Sequence, residues 1–136
     1  LKIILPLHPR TKEKLNSHLD ENLLTEINQN KNFKIIPPTG FLDIISLEKN
    51  ARLIITDSGG LQKEAFFFQK PCVILRDQTE WIEIVENGNA LIAGANELKI
   101  ISSVETLIKR TDYTYPNLYG DGNAANFICK KITEEL

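Results

Sequence analysis

The chain has 136 residues, 16 basic against 18 acidic side chains and hence a net charge of −2 with neutral histidines, and is 42% hydrophobic and 25% charged. That is one domain's length, enough to bury roughly 68% of the surface the unfolded chain exposes, so neither disulfides nor metals are needed to hold it. Near-neutral charge removes the electrostatic reason to expect nucleic acid or an anionic membrane as partner, and no apolar run nears the roughly 18 residues of a membrane span. Cys72 and Cys129 form no CxxC and have no histidine cluster beside them, so both are expected reduced and packed as small hydrophobes. The N-terminus lacks a basic-then-apolar leader, which sets the expectation of a cytoplasmic protein. The opening strand-like Leu1-Lys2-Ile3-Ile4-Leu5, with no Met anywhere, predicts a piece cut at a domain boundary.

In chain order, a strand is predicted over residues 2–5 and a helix over 11–28, where Leu15, Leu19, Leu23 and Leu24 fall at helical spacing. A second strand over 33–36 precedes a short helix over 41–49. A third over 52–56 leads into a helix over 61–69, and a fourth over 72–75 into a helix over 80–86. A fifth strand over 90–93 is followed by a helix over 96–110 with Leu98, Ile101, Val104 and Leu107 on one face. The turn Tyr119-Gly120-Asp121-Gly122 then introduces a last helix over 123–135. The strand runs are continuously apolar, the pattern of strands buried on both faces of a parallel sheet. This rhythm predicts a single α/β domain with an open, doubly wound sheet, since a closed eight-stranded barrel needs about 250 residues.

Ligands of open α/β sheets bind outside the carboxyl ends of the strands, so the residues after each strand carry the functional reading. They are Leu7-His8-Pro9-Arg10-Thr11, then Pro37-Pro38-Thr39-Gly40-Phe41, then Asp57-Ser58-Gly59-Gly60, then Arg76-Asp77-Gln78-Thr79-Glu80. Histidine, arginine, serine, glycines and carboxylates are thereby expected on one rim. Ser58-Gly59-Gly60 joins a strand to a helix, where free N–H groups and the helix dipole suit a phosphate. The alternative is that Asp57 or Ser58 caps the helix and the glycines turn the chain. The run is neither a GxxxxGK[ST] loop nor a GxGxxG fingerprint, which directs attention to diphosphate-sugar ligands rather than Mg-ATP. Glu64 follows on or beside the apolar stripe of that helix, where ligand hydroxyls would serve it as donors. Its alternative is a solvated flank or an ion pair with Lys63 or Lys70. His8 and Arg10, with Pro9 suited to a first helical position, would clamp a diphosphate; a structural role is the alternative for the histidine. Arg76 is weighed against a plain surface salt bridge, and Asp77-x-x-Glu80 also fits a capping box. Phe41 and Ile44 could offer an apolar face to a nucleobase, with core packing as their other use. No metal-ligand spacing, Ser-His-Asp arrangement or paired acid and base carboxylates are present. The site reads as half of a cleft.

On these residues the chain resembles the C-terminal domain of the non-hydrolysing UDP-N-acetylglucosamine 2-epimerases, a family with the two-domain GT-B fold. The carriers are Leu7-His8-Pro9-Arg10-Thr11, Gly40-Phe41-Leu42, the run from Leu53 through Thr56-Asp57-Ser58-Gly59-Gly60-Leu61-Gln62-Lys63-Glu64-Ala65, Lys70-Pro71, Leu75-Arg76-Asp77-Gln78-Thr79-Glu80 and Tyr119-Gly120-Asp121-Gly122-Asn123-Ala124. The resemblance implies a Rossmann-like, UDP-binding C-terminal half whose N-terminal domain is missing. Ser58, Gly59 and Gly60 would hold the phosphates, Glu64 the ribose hydroxyls, and Phe41 and Ile44 the uracil. Arg10 and Arg76 would add further UDP contacts, and His8 would stabilise the departing diphosphate. The implied reaction inverts C2 of a UDP-N-acetylhexosamine by eliminating UDP to a 2-acetamidoglucal and adding it back. It needs no metal or other cofactor, and the proton-moving carboxylates belong to the missing half. The fragment alone is therefore expected to be inactive and the full-length enzyme a homodimer, serving surface polysaccharide synthesis.

Two departures qualify the resemblance. Trp81-Ile82 stands where many members continue with Arg-Pro, and His8-Pro9-Arg10-Thr11 replaces a His-Arg-Arg-Glu run. Trp81, with the stretch from Cys72 to Glu80, is similar instead to UDP-2,3-diacetamido-2,3-dideoxyglucuronate 2-epimerases. The rivals are a GT-B glycosyltransferase donor domain, whose paired-Glu motif would need a second Glu at the position of Cys72, and a non-catalytic nucleotide-sugar binding module.

Overall fold

The computed structural model describes residues 1–134. Its elements run β1 (Ile3–Pro6), α1 (Pro9–His18), α2 (Glu21–Gln29), β2 (Phe33–Ile36), α3 (Phe41–Asn50), β3 (Ile54–Thr56), α4 (Gly59–Phe67), β4 (Cys72–Ile74), α5 (Ile82–Glu86), β5 (Ala90–Ile92), α6 (Glu97–Lys109) and α7 (Ala124–Glu134). Position 135, the end of the last expected helix, lies outside the described residues. All strand pairings are parallel: β1 with β2, in a register that sets Ile3 opposite Phe33, and β3 with β4 with β5, where Ile54, Cys72 and Ala90 are level. The chain divides into two compact units, Leu1–Leu47 and the residues from Glu48 on.

The expected strand positions hold to within two residues, whereas burial departs from expectation. Among the described residues only β4 is a strand buried along its whole length. It is the central strand of its sheet, with a neighbour on either side, while β3 and β5 are edges and expose Ile55 and Ile92. In the first unit both strands are edges, and Ile3, Ile4 and Ile35 are exposed. Along β4 the two-residue period deals side chains to two separate cores. Cys72 and Ile74 face Phe66 of α4 and Ile84 of α5, and Val73 faces Leu107 of α6. This sheet is therefore covered on both sides by its helices, as doubly wound topology requires. Each such fully buried side chain contributes about 1.5–3 kcal/mol.

The single helix expected over 11–28 is two. Leu19 and Asp20 are both extended, and the Asp20 carboxylate accepts the Asn22 N–H at 2.9 Å, capping a new start. The leucine spacing ran unbroken through this point, so periodicity alone could not reveal the break. α4 ends in a Schellman turn with Gln69 at φ 57°, a conformation that favours glycine; Gln69 N–H donates to Phe66 O and Lys70 N–H to Ala65 O. Cys72 is 1% exposed, and burial pushes its thiol up to about 12, but Cys129 on α7 is exposed, contrary to the expectation that both pack inside. The run between α6 and α7 has no regular structure yet is pinned to the second unit. Buried Asn89 donates to Thr114 O, Tyr113 Oη donates to Leu107 O, and the rings of Tyr115 and Tyr119 pack against Phe66, the first tilted and the second edge-on. Among the described residues no helix is long and apolar enough to cross a membrane.

Candidate functional site

The β3–α4 turn is built from its own side chains. Ser58 N–H donates to the Thr56 hydroxyl at 3.0 Å, and Ser58 Oγ accepts from Leu61 N–H at 3.5 Å, so Ser58, not Asp57, is the N-cap of α4. The helix begins two residues earlier than expected because that cap admits Gly59 and Gly60 into its first turn, where their N–H groups have no intrahelical acceptor. Neither glycine has a positive φ, so neither is needed for a left-handed turn. Space is tighter at Gly59: a Cβ there would push the Glu80 carboxylate aside and come within 3.7 Å of Arg76 Nη1. A Cβ on exposed Gly60 would meet only Ser58 Oγ, at an ordinary 3.8 Å. Gly60 is thus exposed and needed as a glycine neither for space nor for its backbone conformation.

The β4–α5 loop closes over this turn. Arg76 Nη1 pairs with Glu80 at 2.9 Å, the two side chains 38% and 51% exposed, so the surface salt bridge weighed for Arg76 does form. It is worth at most about 1 kcal/mol and engages only one of the guanidinium nitrogens. The capping box weighed for Asp77-x-x-Glu80 does not form. α5 starts at Ile82 without a side-chain cap, Glu80 is turned to Arg76, and Asp77 lies against Gly94. Two residues to which the motif reading gave no role hold the loop: the Thr79 hydroxyl donates to buried Gln62 Oε1 at 2.6 Å and accepts from Trp81 N–H at 3.1 Å. Trp81 Nε1 donates to Gly59 O at 2.8 Å. Lys63 Nζ sits 4.5 Å from the Trp81 ring centroid and 4.4 Å from that of Tyr119, a cation–π contact with both.

Glu64 lies one turn beyond Gly60, half-buried. The ion pairs weighed for it are not found among the described residues, and the Lys63 ammonium is committed to aromatic rings. Its polar neighbour is Glu48 in the last turn of α3. Glu48 is 4% exposed, neither of its carboxylate oxygens has a hydrogen-bond partner among the described residues, and its carboxyl is pushed up to about 7, first by burial and then by the charge of Glu64. Sequence reasoning missed Glu48. The signal was there: it follows Ile44 by four residues and Ile45 by three, an acid on an apolar stripe, the same pattern that singled out Glu64.

The other candidates belong to the first unit. His8 caps α1 with Pro9 at its first position, and His8 Nδ1 accepts from Arg10 N–H at 3.3 Å, which leaves the proton of a neutral ring on Nε2, free to donate outward. Leu7 N–H donates to Ile36 O at 3.0 Å, so the exits of β1 and β2 run side by side, and both His8 and Arg10 are exposed. Phe41 opens α3 and is 69% exposed, so its core-packing use is not the one realised, while Ile44 is half-buried. Ser58, Gly59, Gly60, Arg76 and Glu64 are thus gathered on the second unit, and His8, Arg10, Phe41 and Ile44 on the first. Among the described residues no group of three or more His, Cys, Asp or Glu could hold a metal ion.

Comparison with known proteins agrees with this chemistry. The family model described as UDP-N-acetylglucosamine 2-epimerase matches residues 1–133. The UDP-N-acetylglucosamine 2-epimerase of Methanocaldococcus jannaschii is 42% identical over 131 residues, 96% of this chain and 35% of that protein. The UDP-2,3-diacetamido-2,3-dideoxy-D-glucuronate 2-epimerase of Pseudomonas aeruginosa is 39% identical over 132 residues, 97% of this chain and 35% of that protein. The crystal structure of the M. jannaschii enzyme in complex with UDP-GlcNAc and UDP superposes with a TM-score of 0.82 at 41% identity, over 98% of this chain and 36% of that one. The Neisseria meningitidis UDP-GlcNAc 2-epimerase bound to UDP-GlcNAc superposes with a TM-score of 0.77 at 30% identity, over 98% and 36%. The chain thus spans about a third of the length of the relatives it matches. A parallel α/β fold, a glycine turn capped by Ser58 and a match along nearly its whole length agree: the chain belongs to the UDP-N-acetylglucosamine 2-epimerase family.

Proposed function

We propose that this chain is the UDP-binding portion of a non-hydrolysing UDP-N-acetylhexosamine 2-epimerase of GT-B architecture. The carrying observation is Gly60, an exposed glycine in the first turn of α4 whose N–H has no intrahelical acceptor, in a family whose solved members hold UDP-GlcNAc and UDP. The N–H groups of Gly59 and Gly60 and the Ser58 hydroxyl bind the diphosphate, aided by the dipole of α4. Glu64 accepts hydrogen bonds from the ribose hydroxyls. Arg76 offers the guanidinium N–H groups that Glu80 does not use, Arg10 adds a second guanidinium, and His8 donates from Nε2 to the departing diphosphate. Phe41, with Ile44 behind it, supplies an apolar face for the uracil. In the reaction the C1–O bond breaks, UDP leaves with its electron pair and the C2 proton is lost, giving the 2-acetamidoglucal. UDP then adds back at C1 as a proton is delivered to the opposite face of C2. These residues stabilise the UDP anion through preorganised donors. Carboxylates elsewhere in the full-length protein move the C2 proton, so the 136-residue chain alone is inactive. The full-length enzyme acts as a homodimer in the cytoplasm, in surface polysaccharide synthesis.

The UDP-2,3-diacetamido-glucuronate reading rests on the similarity to the Pseudomonas enzyme and on Trp81 in place of Arg, and assay of both UDP-sugars decides between them. A glycosyltransferase donor site is disfavoured because the position of its second acid is Cys72, sealed in the core. The test of the main reading is hydrogen exchange: the full-length protein incubated with UDP-GlcNAc in heavy water incorporates deuterium at C2, and Glu64→Ala and His8→Ala suppress it. Undiminished exchange in both variants would overturn these role assignments.

A further inference from the structure

Gln62, in the first turn of α4, is fully buried, and among the described residues its side chain is held by the Thr79 hydroxyl, which donates to Oε1 at 2.6 Å, while its Nε2 has no partner. An apolar side chain of the same size would fill that place in the core without the cost of burying an amide. The same Thr79 oxygen accepts from Trp81 N–H at 3.1 Å, and Trp81 Nε1 donates to Gly59 O at 2.8 Å. The chain of bonds thus leaves α4 at Gln62 and returns to it at Gly59, closing on the turn that carries the free N–H groups of Gly59 and Gly60. On the loop side it passes through a single atom, the Thr79 hydroxyl oxygen. Thr79 immediately precedes Glu80, so the loop it anchors is the one that brings the Arg76–Glu80 pair against Gly59.

We propose that Thr79 is a positioning residue for the diphosphate: its hydroxyl, joining Gln62 to Trp81, fixes the first turn of α4 against the β4–α5 loop so that the N–H groups of Gly59 and Gly60 and the Arg76 guanidinium meet the phosphates together. This deepens the proposed function and rests on its assignment of those donors to the diphosphate. Donors carried by two different elements bind one anion well only when their separation is set beforehand, because ordering them at the moment of binding subtracts from affinity. The Thr79 hydroxyl sets that separation through two bonds on one atom. Its loss leaves buried Gln62 without a partner and frees Trp81 N–H, so the loop and the turn shift independently. The ribose and the uracil are assigned to Glu64, Phe41 and Ile44, none of which takes part in these bonds.

The experiment is calorimetric titration of the full-length protein and its Thr79→Val and Thr79→Ser variants with UDP, alongside uridine titrations followed by NMR. Valine keeps the shape of threonine without the hydroxyl, and serine keeps the hydroxyl. Thr79→Val is expected to lower UDP affinity by at least about tenfold and uridine affinity by less than about twofold, and Thr79→Ser to restore UDP binding to within about threefold of the parent. Equal losses for UDP and uridine would give Thr79 a general structural role and overturn the inference, as would UDP affinity unchanged by Thr79→Val or a serine variant as weak as the valine one. A measurement on the parent protein does not depend on the valine variant folding: the Trp81 indole N–H signal, identified with Trp81→Phe, is expected to move on addition of UDP and to stay in place with uridine. A signal unmoved by saturating UDP, or moved equally by uridine, also overturns the inference. Failure of UDP to bind the parent at all instead refutes the proposed diphosphate site and removes the basis of the inference.

Discussion

Gly60→Ala separates a glycine kept for the fold from one kept for a ligand. The added Cβ stands 3.8 Å from Ser58 Oγ, an ordinary contact, and the residue has no positive φ. Folding should then gain from the smaller entropy of the unfolded chain and the better helix propensity of alanine, by about 0.5–1 kcal/mol. Binding should move the other way. A methyl group placed where a phosphate approaches displaces one charge-assisted N–H contact, worth about 1.5–3 kcal/mol, so UDP affinity falls by a factor of at least about ten. Urea denaturation and calorimetric titration of the full-length protein measure the two effects independently. Gly59→Ala is the contrast, because its methyl must displace the Glu80 carboxylate and break a half-exposed ion pair, costing the fold up to about 1 kcal/mol. If Gly60→Ala binds UDP as tightly as the parent, the outward face of Gly60 is not a ligand face, and the observation carrying the functional reading falls. If it destabilises the protein, the spatial argument itself is wrong.

Further outcomes follow from other contacts. Folded Glu48 keeps its proton up to about 7, whereas an unfolded glutamate releases it near 4.5, so between these values the folded state binds more protons and stability declines as pH rises. The loss is at most about 3 kcal/mol, and denaturant midpoints at about pH 5 and pH 8 should differ in the parent and coincide in Glu48→Gln. Gln69→Gly relieves a left-handed residue in the α4 Schellman turn and should raise stability by about 1 kcal/mol in thermal or urea unfolding; a decrease would mean that the glutamine side chain compensates for its backbone. Trp81→Phe keeps most of the ring but loses the bond to Gly59 O. It should cost about 1 kcal/mol and weaken UDP binding without adding any group to the turn, and unchanged affinity would limit Trp81 to packing.

Strand positions and the position of the glycine turn were legible because each rests on a local signal, a continuous apolar run or a residue pair with one structural use. Whatever depended on a partner distant in sequence was not. The break at Asp20 was hidden by leucines that keep helical spacing across it, and a single capping carboxylate outweighed the periodicity. Phe41 had two uses open to it, a nucleobase face and core packing, and only the folded chain shows it in solvent at the first residue of α3. Arg76 and Glu80 were read separately and lean on each other. Gln62 and Thr79 sat inside quoted motifs without a role, since only the folded loop brings them to 2.6 Å. Glu48 needed the meeting of two helices to become visible beside Glu64.

The Trp81 indole never has to touch a nucleotide to act on one. The carbonyl it holds, that of Gly59, and the N–H of Gly60 are the two ends of one amide group. A donor on the oxygen draws electron density across the conjugated bond and makes the nitrogen's proton more acidic, a cooperative gain on the order of 10–30% per bond. An aromatic residue in place of a charged one can in this way sharpen an anion site by induction, from behind, and leave the space in front of it clear for the sugar.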